Sequence, residues 1–592
     1  MKTAKNMADL GVSSSDERTG FANTVNTSRI SGSFIAIVFA IVLLWLLTGC
    51  GNETVSQTST PKITESIADP EITEPTESAA PTVSPGTDEE PSPAKHDYAL
   101  PLSGAGADFE IAVVLDPAVS GTFKRMSENS VWREISRRTG MEPKFLTYTP
   151  EQAQTQYGVS FAIGEYPDAM QDLQVFYPGG VDAAVRDGVA IDLAPYLEEY
   201  APNINWYLTR DESAMKAALT DSGTIGQIPR LLSAPCGEID GILLRQDWLT
   251  ALKLDSPRTY SQYRDVLAAF NKYNGSQLWF GGALWAGGFG VPDAMGDWVE
   301  TGAPLFVERD TVYWGPASPR YLEYLTVMRS WFEAGLINPN SLTAPSVPAP
   351  QNLVSSGKCS AFVTNYRFFD GYAKNLSATS GGVLAGSGSP VKEIGGVHRF
   401  MGNYGKLVLP GSGFSITSDC EEPEKLLQLF DYRYSDAGAS LCNIGVADEA
   451  HTVTNGVPYF KSVILGSVGN GRPSALARYR YLSPPGLYTE NPYQYDPMLS
   501  WSALALREVW SRNRDNSYAL PDFVTLTDEE QARFGTMVFG LRDLVQYETL
   551  RFIKGERDLD DWDEFVAEQN RLGAEVITAL VADAYARYTS RS

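Results

Sequence analysis

The sequence predicts an α/β body of two or more lobes with helices added at its C-terminal end. Three observations lead there. From about Leu100 onward the composition is globular and rich in Trp and Tyr, and roughly 490 residues are too many for one compact hydrophobic core. Strand-like and helix-like segments alternate through most of that body, the pattern of a sheet with crossover helices. The last part of the chain then reads as helix alone.

The first strand is expected at Phe109–Leu115, a run apolar enough for the interior of a sheet. A helix follows at Asn129–Arg138, with Val131, Trp132 and Ile135 on one face and Gly140 placed to stop it. Gly164-Glu165-Tyr166-Pro167-Asp168 turns into a short strand at Ala169-Met170, and strand, helix, strand in this order make a βαβ unit. Gly241–Arg245 is a further strand. Ser256-Pro257 introduces a helix carrying Tyr260, Tyr263, Leu267 and Phe270, and Ser318-Pro319 introduces another through Leu322, Leu325 and Phe332 to Gly335. Ser360–Val363 is an apolar strand. Thr527-Asp528-Glu529-Glu530 is a capping box, and Trp562, Phe565 and Val566 mark a helix ending near Gly573. Trp501 and Trp510, at helical positions, are assigned to the core. No internal repeat of solenoid length occurs.

Ahead of the body, Phe34–Leu47 is apolar throughout but short for a permanent crossing of a roughly 30 Å hydrocarbon core, and reads as the hydrophobic region of a signal peptide. Leu47-Thr48-Gly49-Cys50 resembles the bacterial lipobox. That resemblance implies cleavage of residues 1–49 and lipid on Cys50; the alternative is an uncleaved signal anchor. Residues 50–104 are dominated by Thr, Ser, Pro and Glu and cannot bury enough surface to offset ordering entropy. They are expected to form a disordered acidic tether.

A formal charge of -25 argues against nucleic acid or anionic lipid as partners, since either wants a basic face. Besides Cys50, the cysteines are Cys236, Cys359, Cys420 and Cys442, widely spaced and without a CxxC pair, so neither a disulfide framework nor a zinc site is expected. Cys420 and Cys442 either pair or stay isolated buried thiols. The histidines are His96, His398 and His451, and no HExxH, GxSxG or GxGxxG occurs. Gly357-Lys358-Cys359 lacks the Ser or Thr of a phosphate loop. No cofactor, metal or catalytic residue is assigned. A two-carboxylate glycosidase stays open, because the separation of two acids is invisible in sequence.

Several strings, in order, resemble the extracellular solute-binding lipoproteins of ABC importers, family 1, especially the large LplA-like members of Gram-positive bacteria. They are Asn129-Ser130-Val131-Trp132 with Thr139-Gly140, the turn Gly164–Asp168, and Gly179-Gly180 followed by Asp187–Leu193. Arg245-Gln246-Asp247-Trp248-Leu249, Ser256–Tyr260, Pro423-Glu424 with Phe430-Asp431-Tyr432, Ile553–Glu556 with Trp562, and Ala584–Tyr588 continue the series. A departure stands at Gly445-Val446-Ala447-Asp448-Glu449, where relatives tend to carry Gly-Xaa-Glu-Gly. The resemblance implies a two-lobed periplasmic-binding-protein-like fold of type II, with lobe one at 105–235 and 390–445 and lobe two at 236–389 and 446–592. It implies a ligand enclosed between the lobes by hinge closure, and ABC permease subunits that read the closed form. The protein would then be a monomer held by lipid at the outer face of the bacterial cytoplasmic membrane, acting without turnover.

A sugar presents weakly apolar C–H faces and a rim of hydroxyls, so its site pairs aromatic platforms with carboxylates, amides and Arg. Loops that the resemblance places at the cleft supply such candidates. Asp172 and Gln174 share one face of an extended segment that ends at Tyr177. Trp285 sits in the Gly-rich run Trp279–Gly290, either as a stacking platform or as a core Trp. Asn365, Tyr366 and Phe368 follow the strand Ser360–Val363, one of these aromatics belonging to the core. Arg245 is expected near the hinge. The expected ligand is an oligosaccharide; a peptide or other polar nutrient in the same fold, a lipid-anchored glycan hydrolase, and an adhesin or sensor are the alternatives.

Overall fold

The computed structural model describes residues 95–592 apart from 104–105, 116–124, 238, 281–288, 290–296, 299–302, 345–348, 394–395, 398–403, 455–456, 467–470, 481–485, 513 and 515–516. Cys50, the leader and the tether up to residue 94 lie outside the described residues, and so does Trp285. Two sheets organise the rest. Their strands are β1 (Glu110–Val114), β2 (Lys144–Tyr148), β3 (Ala169–Gln171), β4 (Ile228–Leu231), β5 (Asp240–Arg245), β6 (Gln277–Trp279), β7 (Cys359–Asn365), β8 (Leu384–Ser387) and β9 (Val408–Ile416). The first sheet has the order β2-β1-β3-β9-β4 and the second β8-β5-β7-β6. β1 is parallel to β2 and β3, while β9 returns antiparallel between β3 and β4. In the second sheet β7 is antiparallel to β5 and parallel to β6.

Local chemistry explains where the elements start and stop. Asn129 accepts from the Trp132 amide to open the helix Ser130–Thr139, and Gly140, at φ 73°, closes it in the left-handed region that favours Gly. The helix expected after Ser256-Pro257 begins later, at Tyr260, because Thr259 and Gln262 form a reciprocal capping box there. Ser318 and Pro319 open the helix Pro319–Glu333 as expected, and Thr527 with Glu530 opens the helix Asp528–Lys554. The expected βαβ unit contains more than was read: β2 and the helix Pro150–Ile163 stand between the first helix and β3. Lys144 in β2 is exposed, and the helix buries only Pro150, Ala153 and Tyr157, so neither carries a clear apolar stripe.

Each sheet has its own core. Ile111, Val113, Trp132, Ile135, Ile228, Phe414 and Phe430 pack about the first. The second is sandwiched. Ile242, Tyr263, Phe270, Leu325 and Trp331 join the C-terminal Phe534, Leu541, Phe552, Phe565 and Ile577 on one side, and Leu243, Phe362, Tyr372 and Trp510 pack on the other. The two-lobed α/β fold with helical C-terminal additions is thus the fold of the chain. It crosses between the cores after β4, after β8, and again after Tyr488, which belongs to the first core, on the way to the helix Trp501–Trp510 in the second.

Two segments sit elsewhere than their position in the chain implied. Ala477, Leu487 and Tyr488 pack into the first core, and the buried Asn129 amide donates to the carbonyls of Ala477 (2.7 Å) and Arg480 (2.9 Å). We propose that lobe one takes in the helix Gly471–Tyr479 and residues 486–488 as well as 105–235 and 390–445. The end of the expected tether is also ordered on that lobe: the His96 amide donates to Asn203 Oδ1, the Tyr98 hydroxyl to Asp431 Oδ2, and Leu102 is buried. Trp510 is in the core as expected, but Trp501, at the first turn of its helix, is 87% exposed. No disulfide joins Cys420 and Cys442; both are buried thiols, each pushed up to about 12 chiefly by burial. Among the described residues no helix is long and apolar enough to cross a membrane, and no group of three or more His, Cys, Asp or Glu is placed to hold a metal ion.

Candidate functional site

Where β3 ends, the chain must turn sharply, and Asp172 does it with a left-handed φ of 62°. Its amide donates to the Gly413 carbonyl (2.9 Å), and its Oδ1 accepts from Ser412 Oγ (2.7 Å) and the Gly413 amide (3.2 Å). Gln171 beside it accepts from the Val114 amide and donates to Ser412 Oγ. Burial pushes the Asp172 carboxyl up to about 7, against the pull of Ser412, Gly413, Gln174 and the positive charge of Arg230. Asp172 and Gln174 meet at the end of the central strand β3, but not on the extended segment that was expected: Asp172 is the turn itself and Gln174 lies in the short helix Leu173–Phe176 that follows.

In the second sheet β7 ends beside the start of β5, with Asn365 opposite Asp240. Asn365 Nδ2 donates to Asp240 Oδ1 (3.1 Å), while its own Oδ1 accepts from the Arg367 amide and caps a short turn. The Tyr366 ring is fully buried, and its hydroxyl donates to Asp496 (3.2 Å). Phe368, two residues on, is 54% exposed. So Tyr366 is the member of the trio that joins the core, and Phe368 is the one that offers a free face.

The segment Gly486–Asp496 ties these two places together. Glu490 lies beside Leu232 and takes both forks of Arg230 at 2.7 Å, and Arg230 is the residue whose charge reaches Asp172. Further along, Arg480 is fully buried, its Nη1 donates to the Gln494 carbonyl, and its guanidinium lies 5.7 Å from the Tyr495 ring. Arg367 stacks on the same ring at 3.9 Å. Arg507 pairs with Asp496 (2.6 Å) and lies 4.1 Å over Tyr493, whose hydroxyl donates to the Pro235 carbonyl on the first crossing between lobes. A continuous polar and aromatic seam thus runs from Asp172 in one lobe to Phe368 in the other.

Two candidates stand apart from it. Tyr177 packs edge-on to Phe161 near the end of its helix and donates to Asp187 (3.0 Å). Arg245 lies at the other end of β5 from Asp240, and five residues at about 3.3 Å each put roughly 17 Å between them. Its guanidinium is held along one edge by Asp247, lies 4.2 Å over Trp248 and is buried, so it packs within lobe two. Sequence reasoning missed Arg230, Arg367, Arg480, Glu490, Tyr493, Tyr495, Asp496 and Arg507. The signal was present: Tyr488–Asp496 interleaves Tyr with Glu, Asn, Gln and Asp, the same mixture that singled out Asp172–Tyr177.

Comparison with known proteins gives the seam its context. No model of a known protein family matches the chain. The chain is 25% identical over 345 residues to lipoprotein LipO of Bacillus subtilis (strain 168), covering 55% of this chain and 64% of that protein. It is also 25% identical over 252 residues to the polygalacturonan/rhamnogalacturonan-binding protein YtcQ of the same organism, covering 39% of this chain and 46% of that one. The chain therefore spans less than two thirds of the length of either curated relative. Among solved structures it is similar to an HMO-binding, ABC-transporter-associated solute-binding protein from Bifidobacterium longum infantis. The TM-score is 0.63 at 16% identity, over 81% of this chain and 99% of that one. The resemblance to extracellular solute-binding lipoproteins read from the sequence is borne out, and the solved neighbours are binding proteins.

Proposed function

We propose, from a chain with the fold of an ABC-transporter solute-binding protein and a lipoprotein among its relatives, that it captures an oligosaccharide between its lobes and hands it to an ABC importer. The observation that carries this reading is the seam. Paired amides, carboxylates and guanidiniums from both lobes lie beside aromatic rings along one line, which suits the hydroxyl rim and apolar faces of a sugar chain. The name of the relative YtcQ points the same way. Binding without turnover, a monomeric state, docking to permease subunits, and lipid on Cys50 holding the protein outside the cytoplasmic membrane complete the proposal.

A thermal-shift screen against neutral and acidic oligosaccharides and against peptides tests it, since a ligand that binds only the folded state raises its midpoint. At least one oligosaccharide should raise the midpoint and be recovered intact afterwards. A shift with peptides alone sinks the carbohydrate reading, and a cleaved sugar sinks the absence of turnover. For the anchor, Cys50→Ala should move the protein from the membrane fraction to the medium; retention at the membrane would refute lipidation there.

A further inference from the structure

Resting on the oligosaccharide reading above, we infer that the captured sugar is acidic, a chain of uronate units whose carboxylates are held at the lobe-two end of the seam by Arg367 and Arg507. Three guanidiniums gather there around shared rings. Arg367 lies 5.8 Å and Arg507 5.5 Å from Tyr366, while Arg367 and Arg480 lie 3.9 and 5.7 Å from Tyr495. Only Arg507 has a carboxylate partner, Asp496; among the described residues Arg367 and Arg480 make no ion pair. Nε of Arg367, Nε of Arg480 and Nη1 of Arg507 are buried without an acceptor. Leaving charged donors unmatched away from water is costly, and doing so with like charges side by side costs more.

The surplus of positive charge is local. The whole chain carries 72 acidic against 47 basic residues, yet here the acids near the three guanidiniums are Asp496, held by Arg507 and Tyr366, and Asp240, which accepts from Asn365 and lies in the field of Arg367. A hydroxyl-only sugar supplies weak acceptors and leaves the positive charge in place. A carboxylate matches the planar fork and cancels the charge. Arg480 is fully buried, so it acts through its field; Arg367 and Arg507 are partly exposed, which leaves them within reach of a ligand carboxylate. Phe368, next to Arg367, offers the apolar face on which the sugar ring itself rests.

Calorimetric titration of the whole chain with oligomers of galacturonate, glucuronate and mannuronate, each beside its carboxyl-reduced neutral counterpart, tests the inference. One acidic oligomer should bind roughly ten- to a hundredfold tighter than its neutral twin, the range of a charge-assisted hydrogen bond, and should weaken as salt is raised. Arg367→Gln and Arg507→Gln should bring the two within about threefold while the neutral oligomer still binds as before, and Arg367→Lys, which keeps the charge but not the fork, should restore part of the preference. Equal binding of acidic and neutral twins overturns the inference, as does a preference that survives both substitutions. Binding of neutral oligosaccharides alone overturns it and leaves the capture of sugars standing; binding of no sugar at all overturns both.

Discussion

Asp172 combines a left-handed backbone, which Asp tolerates better than most residues, with a carboxyl held away from water, and its proton makes that burial measurable. Its carboxyl is pushed from the ordinary 3.8 up to about 7, chiefly by burial. Between those two pH values the folded protein keeps a proton that the unfolded chain has released. The stability this contributes is complete below about pH 4 and is lost as pH rises through about 7. At about 1.4 kcal/mol per pH unit, the window is worth about 4 kcal/mol. Asp172→Asn is neutral at every pH and keeps an oxygen for Ser412 and Gly413, so its urea-unfolding free energy should lack that decline between pH 5 and pH 8. A decline as steep as that of the unaltered protein would show that Asp172 does not titrate there. Asp172 and Asn365 were legible because each ends a strand whose apolar run is plain in the sequence. Arg245 ends a strand too, but Asp247 two residues later takes its Nε and Nη2 edge, a local competition that strand position alone does not reveal. Arg367 lay inside the string that drew attention to Tyr366, and what separates their roles is which of the two is buried.

Elements were legible where a start signal and an apolar stripe coincide. The helices opened by Asn129, Ser318 and Thr527 have both. β2 and the helix Pro150–Ile163 have a good start, a Thr149–Gln152 capping box, but little to bury, and they were not read. The placement of the helix Gly471–Tyr479 was illegible for another reason. Its partner, Asn129, is more than 340 residues away in sequence. Asn129 does two jobs with one side chain: Oδ1 caps its own helix through the Trp132 amide, and Nδ2 fastens the distant segment through two carbonyls. Asn129→Ala should lose the cap and leave those buried carbonyls without a donor, lowering stability by roughly 2–4 kcal/mol. Asn129→Asp should keep the cap and lose only the fastening. If it unfolds at the same urea concentration as the unaltered protein, the two carbonyls do not depend on Asn129.

At the scale of the whole molecule, the lobes are joined by more than the crossings of the chain. The helix Ala574–Ser590 belongs to the second core through Ile577, Val581, Ala584 and Tyr588. Its end nevertheless reaches the first lobe. Arg587 donates to Asp221 (2.8 Å) and to Glu530 at the start of its neighbouring helix, and Arg591 donates to Asp221 at 2.8 and 2.5 Å. Lys216 donates in return to the Thr589 carbonyl. Asp221 follows the helix Glu212–Ala218, whose Ala214 and Ala218 pack in the first core. Nothing local in the sequence announces this clasp, because its partners lie more than 360 residues apart and their charges look like ordinary surface charge. Under the proposed capture of a ligand between the lobes, a polar clasp between them adds to the free-energy difference between open and closed arrangements. Asp221→Asn keeps the shape and removes the charge that both arginines share. Asp221 is partly exposed, so the loss should be roughly 1–2 kcal/mol and should shrink in high salt. The sharper readout is the distance between a spin label on each lobe without ligand. Asp221→Asn should broaden or shift that distribution and change the affinity for ligand by up to about tenfold, while Arg512→Gln, which breaks only a surface pair within lobe two, should change neither. Distributions that coincide for the unaltered protein and Asp221→Asn would mean that the clasp holds the C-terminal helix in place and has no part in the movement of the lobes.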